Sequence, residues 1–332
     1  MARYGILGFG GHAVRRLMPG FERATRSHVT SFWRQDPTKA AEIEQKYGLK
    51  FCREAEALCA SPDVDVIFVS SPDALHLEHT LLALRQKKSV LCEKPLAMNA
   101  EQCRTMLKAA EQAGVKFGVA HCFRFEPSIR RIRDLLASGN FGQPLIARSE
   151  FHYMGTQSPR RWIADPQLAC GGPIADVGVH CIDTLRFVFQ DEVQAVSASA
   201  TYDEFSKAVE AAGALTLEFA KGAVATVLVS ARAEYQTPLS IVCQSGHIAA
   251  DHALTVDFPL ELRSKRIGQK AEQETITNYN TYADQVDAFS DWVERGIGFP
   301  APAIEGLRNQ LVLDAAYRSI KSRRKESVPP LD

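Results

Sequence analysis

The sequence predicts an α/β protein of two domains. Three observations carry this prediction: strands and helices alternate over residues 1–121, a glycine-rich loop follows the first strand, and hairpin-joined strands dominate from residue 122 onward. The first pattern indicates a parallel sheet covered by helices, and the last an α+β domain with an open, mostly antiparallel sheet. We therefore expect domains at 1–121 and 122–332, which suits the length of the chain.

The N-terminal strands are short, nearly continuous apolar runs, which is typical of strands buried on both faces. The helices between them have recognisable ends. Asp36 and Asn99 are predicted N-caps, and Gly48 and Gly114 are predicted C-terminal stops. The predicted strands are Tyr4–Leu7, Val29–Trp33, Val64–Ser70, Ser89–Glu93 and Val115–His121.

The C-terminal domain contains a clear hairpin, in which Lys221-Gly222 joins Leu215–Phe219 to Ala223–Arg232. One face of the second strand is wholly apolar and is expected to cover helices of its own subunit. The other face carries Val224, Thr226, Leu228, Ser230 and Arg232, and its mixed character predicts packing against a second subunit, as a homodimer or larger. The other predicted elements are strands Leu145–Tyr153, Val193–Tyr202 and Ser240–Gln244 and helices Pro127–Ser138, Tyr282–Glu294 and Glu305–Arg323.

The composition argues against several classes of partner. Lys and Arg together equal Asp and Glu together, 39 of each, so no net charge attracts nucleic acid or an acidic membrane surface. The eight cysteines form no C-x-x-C pair, and several lie in apolar runs, which indicates buried thiols in a reducing compartment. Because neither a signal peptide nor a membrane-spanning run is found, we expect a cytoplasmic protein.

The glycine-rich loop reads Gly8-Phe9-Gly10-Gly11-His12-Ala13 and fits the pattern G-x-G-x-x-A. In a Rossmann domain the first glycine permits a tight turn, the second lets the backbone approach a pyrophosphate, and the small third residue lets helix and strand pack closely. The alternative is a merely structural turn. The order strand, loop, helix, strand favours dinucleotide binding.

The end of the second predicted strand bears on the choice of cofactor. NAD-binding folds usually carry an acidic residue there, whereas this chain has Arg34, and Asp36 has the position of a helix N-cap. An arginine can pair with a 2′-phosphate, so the sequence favours NADP(H), with NAD as the alternative. In that alternative Arg34 is solvated and Asp36 binds the ribose.

Two further motifs carry a family resemblance. Glu93-Lys94-Pro95 follows the strand predicted before it, and residues 171–180 read G-G-P-I-A-D-V-G-V-H, with Asp183 downstream. With the glycine-rich loop, and in this order, they resemble the glucose–fructose oxidoreductase, inositol dehydrogenase and MocA family over essentially the whole chain. The resemblance implies hydride transfer between NADP(H) and a hydroxyl or carbonyl carbon of a sugar, polyol or keto-sugar.

The resemblance also implies roles for particular residues. Lys94, Asp176 and His180 would be catalytic, and with Arg124 they would contact the substrate. His121 stands where the family often has asparagine. The implied cofactor contacts, taken with the loop and Arg34, are Gly8, Phe9, Gly10, Gly11, His12, Arg34, Ser70, Ser71, Pro72, His76, Glu93, Lys94, His121, Trp162 and Tyr282.

The residue types agree with this chemistry. In a helix, Asp176, His180 and Asp183 share one face, at spacings of four and three. An imidazole suits the hydroxyl proton, a lysine can stabilise a developing alkoxide, and a carboxylate can orient the imidazole. The alternative is an ordinary polar helix face, and for Asp183 the choice between site and structure stays open.

Other readings remain at this point. A metal site from His121, Cys122, His180 and Cys181 is conceivable, but adjacent pairs on separate elements lack a standard ligand spacing, so we expect no metal. A glycosidase with tightly bound NAD in a transient redox cycle would share the fold. So would a non-enzymatic dinucleotide sensor, although a sensor has no need of Lys94, Asp176 and His180 together.

Overall fold

The structure is a computed structural model that describes residues 1–158, 160–204 and 208–331. Up to Cys122, strands and helices alternate as the sequence predicts. The strands are β1 (Ala2–Leu7), β2 (Ser27–Trp33), β3 (Lys50–Phe51), β4 (Val66–Val69), β5 (Ser89–Cys92) and β6 (Phe117–Val119). The helices are α1 (Met18–Arg23), α2 (Ala40–Tyr47), α3 (Ala55–Ala60), α4 (His76–Arg85) and α5 (Ala100–Ala113).

The remainder of the chain is rich in strands. Those in the described residues are β7 (Pro144–Met154), β8 (Val193–Thr201), β9 (Ala212–Phe219), β10 (Val224–Ser230), β11 (Arg232–Gln236), β12 (Leu239–Cys243), β13 (Gly246–Ala250), β14 (Pro259–Arg266), β15 (Glu272–Thr277) and β16 (Glu326–Ser327). The helices there are α6 (Pro127–Ala137), α7 (Val179–Phe189), α8 (Thr281–Arg295) and α9 (Ala303–Ser322). None of the helices in the described part of the chain is long and apolar enough to span a membrane.

The first six strands form one parallel sheet in the order β3-β2-β1-β4-β5-β6. The order reverses direction beside β1, as in a doubly wound Rossmann domain, so the predicted fold is confirmed. Every residue of β4 and β5 is buried, which explains their unbroken apolar sequences. The sequence missed β3, which has only two residues.

The helix ends of this region follow the predicted signals. The Asp36 carboxylate accepts a hydrogen bond from the Thr38 backbone N–H at 2.9 Å, and the Asn99 side chain accepts one from the Gln102 N–H at 2.9 Å. Gly48 and the residue after α5, Gly114, adopt left-handed conformations that end their helices. Local hydrogen bonding alone therefore fixes these boundaries.

The contacts divide the chain into two units. Met1–Cys122 and Asn280–Leu307 form the first, and Phe123–Tyr279 with the chain from Arg308 onward forms the second. The sequence-based prediction placed everything after residue 121 in the second domain. In the structure, Asn280–Leu307 returns to the first unit and brings α8 to the parallel sheet. The Tyr4 hydroxyl, for example, donates to the Val286 carbonyl of α8 at 3.0 Å.

The second unit is built on a large, mostly antiparallel sheet. Ten strands of the described residues belong to it, in the order β15-β14-β13-β12-β7-β10-β9-β8-β16, with β11 paired to β7. β7 and β10 are parallel, and the other pairs are antiparallel. The predicted hairpin is present as β9 and β10 around Gly222, whose φ is +96°.

The two faces of β10 differ as predicted. Ala225, Val227 and Val229 are buried, whereas Val224, Thr226 and Leu228 are exposed or half-buried. The sequence-based prediction missed β15, whose residues are nearly all exposed, and β14, where Leu260 and Leu262 are the only large apolar residues among polar and charged ones. The eight cysteines are free thiols, and all except Cys170 are buried, as expected.

Candidate active site

The glycine-rich loop has the shape that a dinucleotide requires. Gly8 has a φ of +98°, and a Cβ there would lie 2.6 Å from the Ser71 backbone nitrogen, so only glycine is tolerated. A Cβ on Gly10 or Gly11 would meet nothing closer than 3.8 Å. The loop backbone therefore borders open space, as the predicted approach of a pyrophosphate requires. Residues 11–23 continue as a helix, with a π-helical turn at Ala13–Leu17.

The predicted cofactor residues of the first unit gather at one edge of its sheet. Ser70 follows β4, Glu93 and Lys94 follow β5, and His121 follows β6. The backbone N–H groups of Ser70 and Glu93 still donate to neighbouring strands, at 2.9 Å each. Since the carboxyl ends of parallel strands meet at one edge, the fold brings these segments beside the glycine-rich loop, where open α/β sheets bind ligands.

Arg34 lies directly after β2 with its side chain about one-fifth exposed. Its nearest anionic partner is Asp36, with 3.9 Å between Nη2 and Oδ2. The Asp36 carboxylate accepts hydrogen bonds from both the backbone N–H and the hydroxyl of Thr38, and these bonds lower its pKa. Asp36 is thus a helix cap, as predicted, and its ion pair with Arg34 is long.

Glu93 is held by a residue of the glycine-rich loop. His12 Nε2 lies 2.9 Å from Glu93 Oε1, and the Lys94 backbone N–H donates to the other carboxylate oxygen at 3.3 Å. Burial would raise the pKa of Glu93, but the neighbouring His12 and Lys94 bring it below its usual value. The Tyr282 ring meets the His12 ring edge-on, with centroids 5.8 Å apart. Three predicted cofactor residues, His12, Glu93 and Tyr282, therefore form one cluster.

In the second unit, the double glycine leads into the helical segment that carries Asp176 and His180. A Cβ on Gly171 would overlap the Tyr317 hydroxyl, and one on Gly172 would overlap the Glu210 carbonyl oxygen. The Glu210 carboxylate accepts the backbone N–H groups of Gly172 and Ile174, each at 2.9 Å. Both glycines are thus required by close packing, and Glu210 fixes the loop before the helix.

Asp176 lies in a π-helical turn, Ile174–Gly178, that continues directly into α7. Arg160 donates to both carboxylate oxygens, at 3.0 and 2.9 Å, and the Tyr153 hydroxyl donates to Oδ2 at 2.8 Å. A two-pronged guanidinium contact stabilises the ionised carboxylate. Burial, with the Asp176 charge, raises the pKa of Tyr153, so the phenol remains a proton donor. Turns of π-helix are frequent at functional sites.

His180 is the second residue of α7, four positions after Asp176. Phe123 meets its ring edge-on, with centroids 4.9 Å apart, and Phe151 is stacked at 6.0 Å with planes 27° apart. Two aromatic rings therefore restrict the imidazole, which is 9% exposed. A restricted imidazole is a suitable group for moving a hydroxyl proton.

Asp183 lies one turn after His180 but has a different environment. Its carboxylate accepts two hydrogen bonds from Arg124, at 2.6 Å (Nη2) and 2.9 Å (Nε), and one from Asn309 Nδ2 at 2.8 Å. A second cation, Arg186, approaches to 3.9 Å. The structure therefore gives Asp183 a structural role within the second unit. The same hydrogen bonds hold the Arg124 guanidinium on Asp183, and contact between Arg124 and a substrate stays a prediction.

Three other sequence-based expectations concern Trp162, Lys94 and a bound metal. Trp162 lies half-buried in a 3-10 turn, Arg161–Ala164, of the second unit, and its contact with cofactor remains a prediction. So does the meeting of Lys94 with Asp176 and His180, which belong to different units. Within the ranges that the structure describes, no three His, Cys, Asp or Glu side chains are grouped to hold a metal.

Comparison with known proteins identifies the family. The model described as "Oxidoreductase family, NAD-binding Rossmann fold" matches residues 2–121, and the "GFO/IDH/MocA C-terminal domain" matches residues 129–249. The chain belongs to the GFO/IDH/MocA oxidoreductase family. It is 32% identical over 304 residues to 1,5-anhydro-D-fructose reductase of Ensifer adhaerens, covering 91% of this chain and 90% of that one.

Two further relatives are also sugar oxidoreductases. The chain is 24% identical to D-xylose 1-dehydrogenase [NADP(+)] of Haloarcula marismortui, covering 81% of this chain and 76% of the relative. The crystal structure of aldose-aldose oxidoreductase from Caulobacter crescentus complexed with glycerol superposes with a TM-score of 0.91. That protein is 25% identical, with 98% of this chain and 99% of that chain covered. The first domain is therefore an NAD-binding Rossmann domain in a family of sugar oxidoreductases.

Sequence reasoning missed four residues that build the second unit's site. Tyr153 and Arg160 bind the Asp176 carboxylate, Glu210 binds the backbone at the double glycine Gly171-Gly172, and Asn309 binds Asp183. They lie between 16 and 126 positions from the groups they bind. No short motif includes them, and only an alternating strand pattern around Tyr153 could have placed its side chain on a particular sheet face.

Proposed function

We propose that this protein is an NADP(H)-dependent oxidoreductase that interconverts a hydroxyl and a carbonyl group on a sugar, polyol or keto-sugar. The observation that carries the proposal is that Asp176, fixed by Arg160 and Tyr153, lies on the same helical segment as His180, whose imidazole is restricted by two aromatic rings. Family membership supplies the class of reaction, and these contacts supply the groups that carry it out.

In this proposal each residue has a distinct task. His180 exchanges the proton of the substrate hydroxyl, since an imidazole titrates near neutral pH. Asp176 stays ionised and favours the imidazolium that forms when His180 accepts the proton. Lys94 donates a hydrogen bond to the substrate oxygen and stabilises its negative charge as it develops. Tyr153 and Arg160 act through Asp176 and are positioning residues.

The cofactor would lie along the carboxyl edge of the parallel sheet. Gly8–Ala13 would hold its pyrophosphate, and Glu93 would hold the nicotinamide ribose with His12 fixing the carboxylate. Arg34 would bind the adenosine 2′-phosphate, because Asp36 is occupied as a helix cap. The bound nicotinamide supplies or accepts the hydride.

We also propose a homodimer or larger assembly, in the cytoplasm. The half-exposed outer face of β10 (Val224, Thr226, Leu228 and Ser230) continues onto β7, where the neighbouring Ile146 is 61% exposed, and this apolar area suits a second copy. The free, mostly buried thiols favour a reducing compartment.

The test is a substrate screen with NADPH and with NADH, in which turnover is measured by the absorbance of the reduced nicotinamide. The relatives suggest 1,5-anhydro-D-fructose and D-xylose as first candidates. With the best substrate, His180→Ala should lower turnover by roughly 10²–10⁴-fold, and Lys94→Ala at least as much. NADPH binding should persist in His180→Ala because the glycine-rich loop is unchanged. Near-normal turnover of folded His180→Ala would contradict its role.

The same screen separates the other candidate functions. A glycosidase would release sugar without net consumption of NADPH, and its cofactor would remain bound during purification. A sensor would bind dinucleotide and turn over none of the sugars. Either result would replace the proposed function.

A further inference from the structure

A buried histidine outside the reacting groups joins two cofactor segments of the first unit. His76 begins α4 and is 1% exposed. Its Nδ1 lies 2.9 Å from the carbonyl oxygen of Pro95, and its Nε2 lies 3.0 Å from the carbonyl oxygen of Ser71. Ser71 follows β4, and Pro95 directly follows Lys94 after β5.

The two acceptors fix the protonation state of the ring. A carbonyl oxygen can only accept a hydrogen bond, so each ring nitrogen must carry a proton to bond its partner. A neutral imidazole has one N–H and would place a bare nitrogen against one of the two oxygens. A buried carbonyl oxygen that faces a bare nitrogen has no hydrogen-bond donor there, which is costly, so the geometry requires the doubly protonated ring.

The surroundings suit a buried cation. Burial alone would lower the pKa of His76, but Cys92, Asp73 and the Pro95 carbonyl raise it to about 10. Asp73 is itself buried in the turn before α4. One turn further along α4, burial and the His76 charge lower the pKa of His79 to about 4, so the second ring is neutral.

We infer that His76 is a permanent imidazolium that ties the turn after β4 to the turn after β5 and thereby positions Lys94. The contacts of His76 continue through Ser71 to His79 and to the glycine-rich loop. His79 Nδ1 bonds the Ser71 hydroxyl at 2.9 Å, and the Ser71 backbone packs against Gly8 of the glycine-rich loop. The positioning of Lys94 rests on the proposed function, whereas the charge of His76 and the tie between the turns do not.

The charge is tested by ¹⁵N-edited NMR of the histidine side chains in the full-length protein at about pH 7 and 8.5. The spectrum should show one histidine with protons on both ring nitrogens at both pH values, absent from His76→Gln. His28→Gln, a half-buried histidine of β2, is the matched control and should leave that signal unchanged. A His76 ring with a single N–H at pH 7 would overturn the inference.

The tie is tested by hydrogen–deuterium exchange. His76→Gln should exchange faster than wild type over residues 70–73 and 94–97, while the control should not. With a substrate from the screen, His76→Gln should lower kcat by roughly tenfold to a hundredfold with KM changed less than about threefold, because Lys94 is misplaced. Faster exchange with unchanged kcat would refute the positioning of Lys94. If wild type turns over no substrate, the proposed function fails, and NMR and exchange still decide the charge and the tie.

Discussion

Replacing Asp183 with asparagine should destabilise the second unit more than any change of equal size at its surface. The substitution preserves shape but removes the charge that Arg124 contacts through two nitrogens and that Arg186 approaches. The Asp183 and Arg124 side chains are only 2% and 5% exposed, so water cannot replace the carboxylate. Leaving a buried cation without its anion costs about 3–5 kcal/mol, and we expect a loss of that size.

Urea unfolding followed by circular dichroism measures the loss, provided that the denaturant slope is unchanged. Asp251→Asn is the matched control, because Asp251 also pairs with an arginine, Arg263, at 2.7 Å, but is 65% exposed. That change should cost less than about 1 kcal/mol. Equal small losses in both variants would refute the reasoning. A stable Asp183→Asn protein with greatly reduced turnover would instead return Asp183 to the reacting groups.

Three other predictions concern the cofactor, assembly and pH. Arg34→Asp should weaken NADPH binding by roughly tenfold or more and shift preference to NADH, and equal binding by wild type and variant in a fluorescence titration would exclude Arg34 as the determinant. Light scattering at micromolar concentration should give at least twice the 36.6 kDa chain mass, and Leu228→Arg should lower it, whereas a wild-type monomer would contradict the assembly. The unfolding free energy should be greatest near pH 6.5. Above it, the contribution of His76 falls by at most about 1.4 kcal/mol per pH unit towards its pKa of about 10, and below it stability falls towards the His79 pKa of about 4. Urea titrations of wild type and His76→Gln between about pH 6.5 and 8.5 test this, because the variant should lack the decline over that range.

The sequence was informative where one local cause decides the structure. The glycine at position 8 follows from a tight turn, for which it has a φ of +98°, and the order of strand, loop and helix makes that need visible. The capping role of Asp36 likewise depends on its neighbour Thr38 alone. Such features were predicted because the interacting groups lie within a few positions of each other.

The features that escaped prediction depend on distant partners. Nothing near Asp176 indicates that Arg160 and Tyr153 hold it, and nothing near Asp183 indicates Asn309. The π-helical turns also have no sequence signal, since the residues of Ile174–Gly178 suit an ordinary helix equally well. The sequence left open whether Asp183 has a catalytic or a structural role. Only the structure, which shows Arg124 and Asn309 bound to its carboxylate, bears on that choice.

The return of Asn280–Leu307 to the first unit has a consequence for biosynthesis. Ser27 and Ser290 share a hydrogen bond at 2.7 Å, and Asp287 accepts the backbone N–H groups of Thr25 and Arg26. A nascent chain emerging from the ribosome can assemble its parallel strands early, but these contacts form only after most of the polypeptide has been translated. The N-terminal domain should therefore remain partly open during synthesis, and a fragment ending at Cys122 would expose the surface that α8 normally covers.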